Sequence, residues 1–203
     1  MITQVNFRST HFIVYLATAP VLGFIASLLW ISGGYNSIWP NIYWISFMLF
    51  IPVSFMLGQL LKAHAPKLAY FTAVISIVGA ISCAGHMFLL RFNAALPHHG
   101  KRNFADVLMN AMDKDFIALL TYIPGLLFPV SFVVFGIGLL RVTAFNKIVS
   151  LLLITFGILF WLGNAGESDV ALLSCYFIGI ITFGYLANSM RNLKKSMTPI
   201  IAE

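Results

Sequence analysis

The charged residues of this chain lie almost entirely between six long apolar stretches, and this distribution limits the possible fold more than any other feature. Only 9% of the 203 residues are charged and 60% are hydrophobic, whereas a soluble domain carries about 25% charged residues. A run of about 20 apolar residues crosses a bilayer as a helix. The runs are continuous, which excludes the alternating strands of a membrane β-barrel. The sequence therefore predicts an all-α polytopic transmembrane bundle in a lipid bilayer.

We predict a single domain over residues 1–203 with six spans. The predicted spans are 11–32, 41–61, 68–90, 116–140, 148–165 and 170–189. The connections are short except for segment 91–115, where apolar residues recur at helical spacing from Asn103 onwards. This pattern predicts a short amphipathic helix between spans three and four, lying on the membrane surface or over the mouth of the bundle.

The basic residues predict an orientation. With six spans, both termini and two connections share one side, and that side holds the larger basic set, Arg8, Lys62, Lys67, Arg141, Lys147, Arg191, Lys194 and Lys195. The opposite side holds a smaller set of basic residues, Arg91, Lys101, Arg102 and Lys114. The positive-inside rule then places both termini in the cytoplasm. We interpret the net charge of +6 as topology signals and neighbours of lipid phosphates, not as a nucleic-acid site.

His86 is the one readily titratable side chain inside the predicted spans. It shares a helical face with Ser76, Gly79 and Cys83, and small residues allow helices to approach closely in lipid. We therefore predict that this face packs against a neighbouring helix. His86 is either a proton-sensitive or ligand-binding group in an outward cavity, or a neutral histidine hydrogen-bonded to an adjacent helix.

At the span ends on the same predicted outer side as His86 lie the charged residues Arg91, Glu167 and Asp169. Together the four would form a polar site at the outer mouth of the bundle, provided that the third and fifth spans are neighbours. Asp169 has a second interpretation, as an N-cap or a first-turn acid of span six.

Span four is predicted to be the least regular helix, because prolines and glycines recur along it at Pro124, Gly125, Pro129, Gly136 and Gly138. Proline frees backbone carbonyl groups and permits kinks within a membrane helix. Broken helices line substrate paths in some transporters, and they also occur in ordinary membrane bundles. The sequence leaves both interpretations open.

The sequence offers no pattern for a metal, a cofactor or a catalytic centre. Cys83 and Cys175 both lie within spans and lack metal-ligand spacing. His98 and His99 are adjacent, and no second pair completes a coordination sphere. No carboxylate lies deep in a span, as a proton-coupled carrier usually requires, and no nucleophile stands at a recognisable spacing from a base. We expect neither cofactor nor metal, and a protein without enzymatic activity.

Two functions survive these exclusions. One is a permease or channel for a small solute, with a polar mouth facing outward near His86 and Arg91. The alternative is a non-conducting structural, lipid-binding or partner-binding membrane protein. The sequence leaves the oligomeric state open, with a homo-oligomer among the alternatives.

Two segments resemble uncharacterised bacterial six-span membrane proteins. In segment 50–86 the shared residues are Pro52, Gly58, Lys62, Ala65-Pro66-Lys67-Leu68, Gly79 and Gly85. In segment 125–166 they are Phe128-Pro129, Gly136, Gly138-Leu139-Leu140-Arg141, Gly157 and Gly163. The chain departs from that group at Asn146, where its members often carry proline after the basic turn. The resemblance implies a protein of the bacterial cytoplasmic (inner) membrane with no assigned activity.

Overall fold

A computed structural model of the protein describes residues 10–33, 38–62, 64–95, 122–142 and 146–197. The described residues form α-helices and connections, with no strand among them. The helices are α1 (Thr10–Gly33), α2 (Trp39–Lys62), α3 (Pro66–Ala95), α4 (Ile123–Gly125), α5 (Leu127–Leu140), α6 (Lys147–Ala165) and α7 (Asp169–Met197).

Within the described residues, six helical segments are long and apolar enough to cross a membrane. They are Ile13–Gly33, Trp39–Lys62, Pro66–Arg91, Ile123–Leu140, Lys147–Ala165 and Asp169–Asn188. The predicted all-α, six-span architecture is therefore confirmed, with α4 and α5 together forming the fourth span. The amphipathic helix predicted from Asn103, and residues 116–121 of the predicted fourth span, lie outside the described residues.

The six spans close into a ring that follows chain order. Each span packs against the spans that precede and follow it, and α1 packs against α7 to complete the ring. Successive spans run in opposite directions, because each crosses back over the bilayer. The fourth span therefore stands between the third and the fifth.

The centre of the ring is filled by five phenylalanine side chains, which we call the aromatic core: Phe50, Phe128, Phe132, Phe156 and Phe183. All five are 0% exposed. The Phe50 ring of α2 contacts the rings of the other four at centroid separations of 5.2 to 5.9 Å. Most of these pairs are edge-to-face, the arrangement that the quadrupole of an aromatic ring favours. Four spans thus meet directly through aromatic contacts.

Glycine allows the closest approaches between spans. A Cβ atom on Gly79 of α3 would overlap the backbone of Phe128 at the start of α5. A Cβ on Gly157 of α6 would lie 2.5 Å from the carbonyl oxygen of Pro129. Helix association in lipid depends on such close packing, because the lipid tails are as apolar as the helix surfaces.

Candidate functional site

The four residues of the predicted polar mouth lie at two places in the ring. His86 is half-buried in α3, and Arg91 is exposed five residues further on. Glu167 and Asp169 are exposed where α6 passes into α7. Within the described residues, no hydrogen bond or ion pair joins any two of the four, and His86 has no hydrogen bond to an adjacent helix.

The order of the helices bears directly on this predicted cluster. α3 packs against α2, α4 and α5, whereas α6 packs against α5 and α7. The fourth span therefore separates the helix that carries His86 from the connection that carries Glu167. A polar mouth built from all four residues stays a prediction.

The connection from α6 to α7 has its own local explanation. The side chain of Ser168 accepts a hydrogen bond from the backbone N–H of Ala171 at 3.3 Å, as an N-cap does. Asp169 is the acid in the first turn of α7, where the helix dipole favours a negative charge. The serine that caps this helix was missed in the sequence, although serine directly before an apolar run is the usual signal.

The small-residue face of α3 packs against its neighbours, as predicted. The Ser76 hydroxyl lies 2.7 Å from the Ser54 hydroxyl of α2, and the Cys83 thiol donates a hydrogen bond to the Gly125 carbonyl of α4 at 3.6 Å. His86 lies about one turn beyond Cys83, on the same side of the helix. The imidazole is therefore placed next to the contact between α3 and the fourth span.

The fourth span is irregular at Leu126, the residue between α4 and α5, as predicted. The chain does not leave the helix there, because Leu126 keeps right-handed helical angles and its N–H bonds to the Tyr122 carbonyl at 3.2 Å. Pro129 has no N–H group, so the Gly125 carbonyl lacks the donor that a helix normally places four residues further on. The Cys83 thiol of α3 supplies a donor for that carbonyl. Proline four residues after Gly125 was the sequence signal for this free carbonyl, but nothing in the sequence indicated its partner.

A second group of polar side chains is buried among α1, α2 and α7. The Ser27 hydroxyl donates to the Gly23 carbonyl at 2.9 Å and lies 2.6 Å from the Tyr43 hydroxyl. Either hydroxyl can be the donor in the bond between Ser27 and Tyr43. The ring of Tyr176 lies 5.8 Å from that of Tyr43, and its buried hydroxyl has no hydrogen-bond partner within the described residues.

This second group was missed because sequence reasoning looked for charged and readily titratable side chains. A phenol within an apolar run reads as one more aromatic residue. Only the tertiary structure shows that two tyrosines and a serine meet.

The described residues contain no group of three histidine, cysteine or acidic side chains that could hold a metal ion. Cys83 and Cys175 are both free thiols. Cys175 donates to the Phe156 carbonyl at 3.3 Å, so each thiol serves a contact between two helices. His98 and His99 lie outside the described residues.

Six apolar helices closed around a buried aromatic core define a multi-pass integral membrane protein. The chain matches no protein-family model, no curated protein and no solved structure. The resemblance to bacterial six-span proteins stays a prediction. So do the bacterial inner membrane, the cytoplasmic side of the termini and a homo-oligomer.

Proposed function

We propose that this protein is a non-conducting integral membrane protein that acts by binding lipid or a protein partner. The observation that supports this proposal is the aromatic core. Its five rings are 0% exposed and join the second, fourth, fifth and sixth spans across the centre of the ring.

The dimensions of the aromatic core explain why it opposes conduction. Contacting rings within it have centroids 4.9 to 6.0 Å apart, which is the separation of aromatic rings in van der Waals contact. A continuous column of water through the centre of the ring would have to displace several of these packed side chains at once. An ion would also find no opposite charge there, because acidic and basic residues stand only at the ends of the spans.

A permease for a small solute is the second candidate, and one observation favours it. The irregular turn of the fourth span at Leu126 directly follows Gly125, whose carbonyl accepts a hydrogen bond from Cys83 of α3, about one turn from His86. Interrupted helices at membrane depth line substrate paths in many transporters. In such a protein the aromatic core would be a closed gate, and the path would open between α3 and the fourth span.

Solute flux through reconstituted liposomes separates the two candidates. Purified protein in liposomes is given an osmotic step with urea, glycerol, acetate or ammonium, and stopped-flow light scattering reports the permeability. We expect the permeability of protein-free liposomes for every solute. The test includes His86→Ala and, as a matched control, His64→Ala, since His64 is exposed in the connection between α2 and α3.

Flux through the wild-type protein would overturn non-conduction. Flux lost in His86→Ala and kept in His64→Ala would establish the permease and place His86 on its path. Flux kept in both variants would establish conduction by a route that avoids His86.

A further inference from the structure

Three basic residues lie at the same end of the bundle, where α2 passes into α3 and α5 ends. A Cβ atom on Gly138 of α5 would lie 2.9 Å from Leu61 Cδ2 and 3.4 Å from Leu68 Cδ2. Lys62 directly follows Leu61, and Lys67 directly precedes Leu68. The packing of Gly138 therefore brings the end of α5 against the base of both lysines.

Arg141 completes this group, which we call the basic corner: Lys62, Lys67 and Arg141. The Arg141 N–H bonds to the Gly138 carbonyl at 3.2 Å and ends α5. The next residue, Val142, is buried, which fixes this end of the helix against the bundle. All three basic residues are exposed, at the end of the bundle where α2, α3 and α5 pack against one another.

No acid in the described part of the chain neutralises the basic corner. The acidic residues there are Glu167 and Asp169, and they belong to the connection between α6 and α7 at the opposite end of the bundle. Lys62, Lys67 and Arg141 each mark the end of an apolar span. Their charges therefore lie at the depth of the lipid headgroups.

The surface next to the basic corner is apolar. Tyr70 and Phe71 follow Lys67 by three and four residues, so they share its side of α3. They are 76% and 60% exposed. Basic residues next to exposed aromatic side chains match an amphiphile that has an anionic headgroup and apolar chains. A free inorganic anion would contact only the basic residues.

We propose that Lys62, Lys67 and Arg141 bind the phosphate headgroup of an anionic phospholipid whose acyl chains lie along Tyr70 and Phe71. This inference names a ligand class for the binding function proposed above and rests on that function for its role. Arginine and lysine suit the phosphodiester because they donate several charge-assisted hydrogen bonds to its oxygens.

Lys147 provides a matched control. It is exposed and lies at the same end of the bundle, where α6 begins. The preceding residue, Asn146, donates to the Tyr185 hydroxyl of α7 at 3.0 Å, and α6 does not border α2 or α3 among the main packing contacts. Lys147 thus carries the same charge at the same end of the bundle, on a helix that packs against α5 but borders neither α2 nor α3 among the main contacts.

The test measures binding of phosphatidylglycerol to the full chain in detergent, by native mass spectrometry and by the thermal unfolding midpoint. Phosphatidylcholine and inorganic phosphate serve as the other probes. We expect only phosphatidylglycerol to bind and to raise the midpoint. The variants Lys62→Gln, Lys67→Gln and Arg141→Gln should each weaken binding about fivefold, since a basic group near anionic lipid contributes on the order of 1 kcal/mol. Lys147→Gln should bind as the wild type does.

The contrary outcomes are distinct. No binding of phosphatidylglycerol, or an equal loss in Lys147→Gln, would overturn the site. Binding of inorganic phosphate with the same residue dependence would replace it with a free-anion site. The thermal unfolding midpoint of each variant without lipid shows whether that variant folds. Solute flux with intact lipid binding would overturn the proposed function and leave this site standing.

Discussion

The phenol ring of Tyr176 lies directly against the α-carbon of Gly23, so a Cβ atom at position 23 would overlap the ring. This contact joins α7 to α1, the pair of helices that closes the ring of spans. Neither residue stands out in the sequence, yet the size of one decides what the other must be.

The first prediction concerns this contact. Gly23→Ala should lower the free energy of unfolding by about 1–3 kcal/mol, because the added methyl group overpacks the interface. Gly184→Ala is the matched control, since nothing lies within 4 Å of a Cβ at that position in α7. The control should be neutral or stabilise by up to about 1 kcal/mol through helix propensity. Unfolding in detergent micelles measures both, and equal effects would contradict the steric explanation.

The second prediction compares two tyrosines. Tyr176→Phe should leave the free energy of unfolding unchanged or raise it by up to about 3 kcal/mol, because it removes a buried hydroxyl that has no partner in the described residues. Tyr43→Phe should cost about 0.5–1.5 kcal/mol, because it removes the hydrogen bond to Ser27. The same unfolding measurement compares the two variants. A larger loss in Tyr176→Phe would mean that its hydroxyl has a partner of its own.

The third prediction tests the aromatic core. Phe50→Ala should destabilise by about 3–5 kcal/mol, since the ring is fully buried and its removal leaves a cavity. Phe55→Ala, in the same helix, removes a ring that is 50% exposed and should cost clearly less. Similar losses in the two variants would show that the centre of the ring is loosely packed.

The fourth prediction concerns the hydrogen bond between α3 and the irregular turn of the fourth span. Cys83→Ala should cost more in the wild-type chain than in a Pro129→Ala background, where residue 129 regains the N–H that can bond to the Gly125 carbonyl. A double-mutant cycle measures this coupling. We expect about 0.5–1 kcal/mol, the range of a weak S–H···O bond. Additive effects would show that the thiol does not replace the missing donor.

The fifth prediction concerns Glu167, whose backbone has a φ of 51°. Glu167→Gly should stabilise the protein by about 1 kcal/mol, because glycine adopts this left-handed conformation without steric cost. Glu167→Ala removes the same charge and keeps the Cβ atom, so it should give no such gain. If both variants were equally destabilised, the carboxylate itself would be the group that matters, as the predicted polar mouth requires.

The sequence predicted the span count and most span boundaries, because each membrane helix by itself needs a run of about 20 apolar residues to cross the hydrocarbon core. The irregular fourth span was equally predictable, since proline at position 129 lacks a backbone N–H whatever the helix packs against. The packed face of α3 followed from the spacing of Ser76, Gly79 and Cys83. All of these properties depend on one helix at a time.

What the sequence alone determined is thus the confinement of charge to the ends of six apolar helices. The tertiary structure decided which helices touch, because a lipid-facing and a helix-facing apolar residue look alike in composition. It placed the fourth span between α3 and α6, whereas the predicted cluster of His86 with Glu167 depends on how close the third and fifth spans lie. It also joined five phenylalanines into one core, and packed Gly138 of α5 against Leu61 and Leu68 at the junction of α2 and α3.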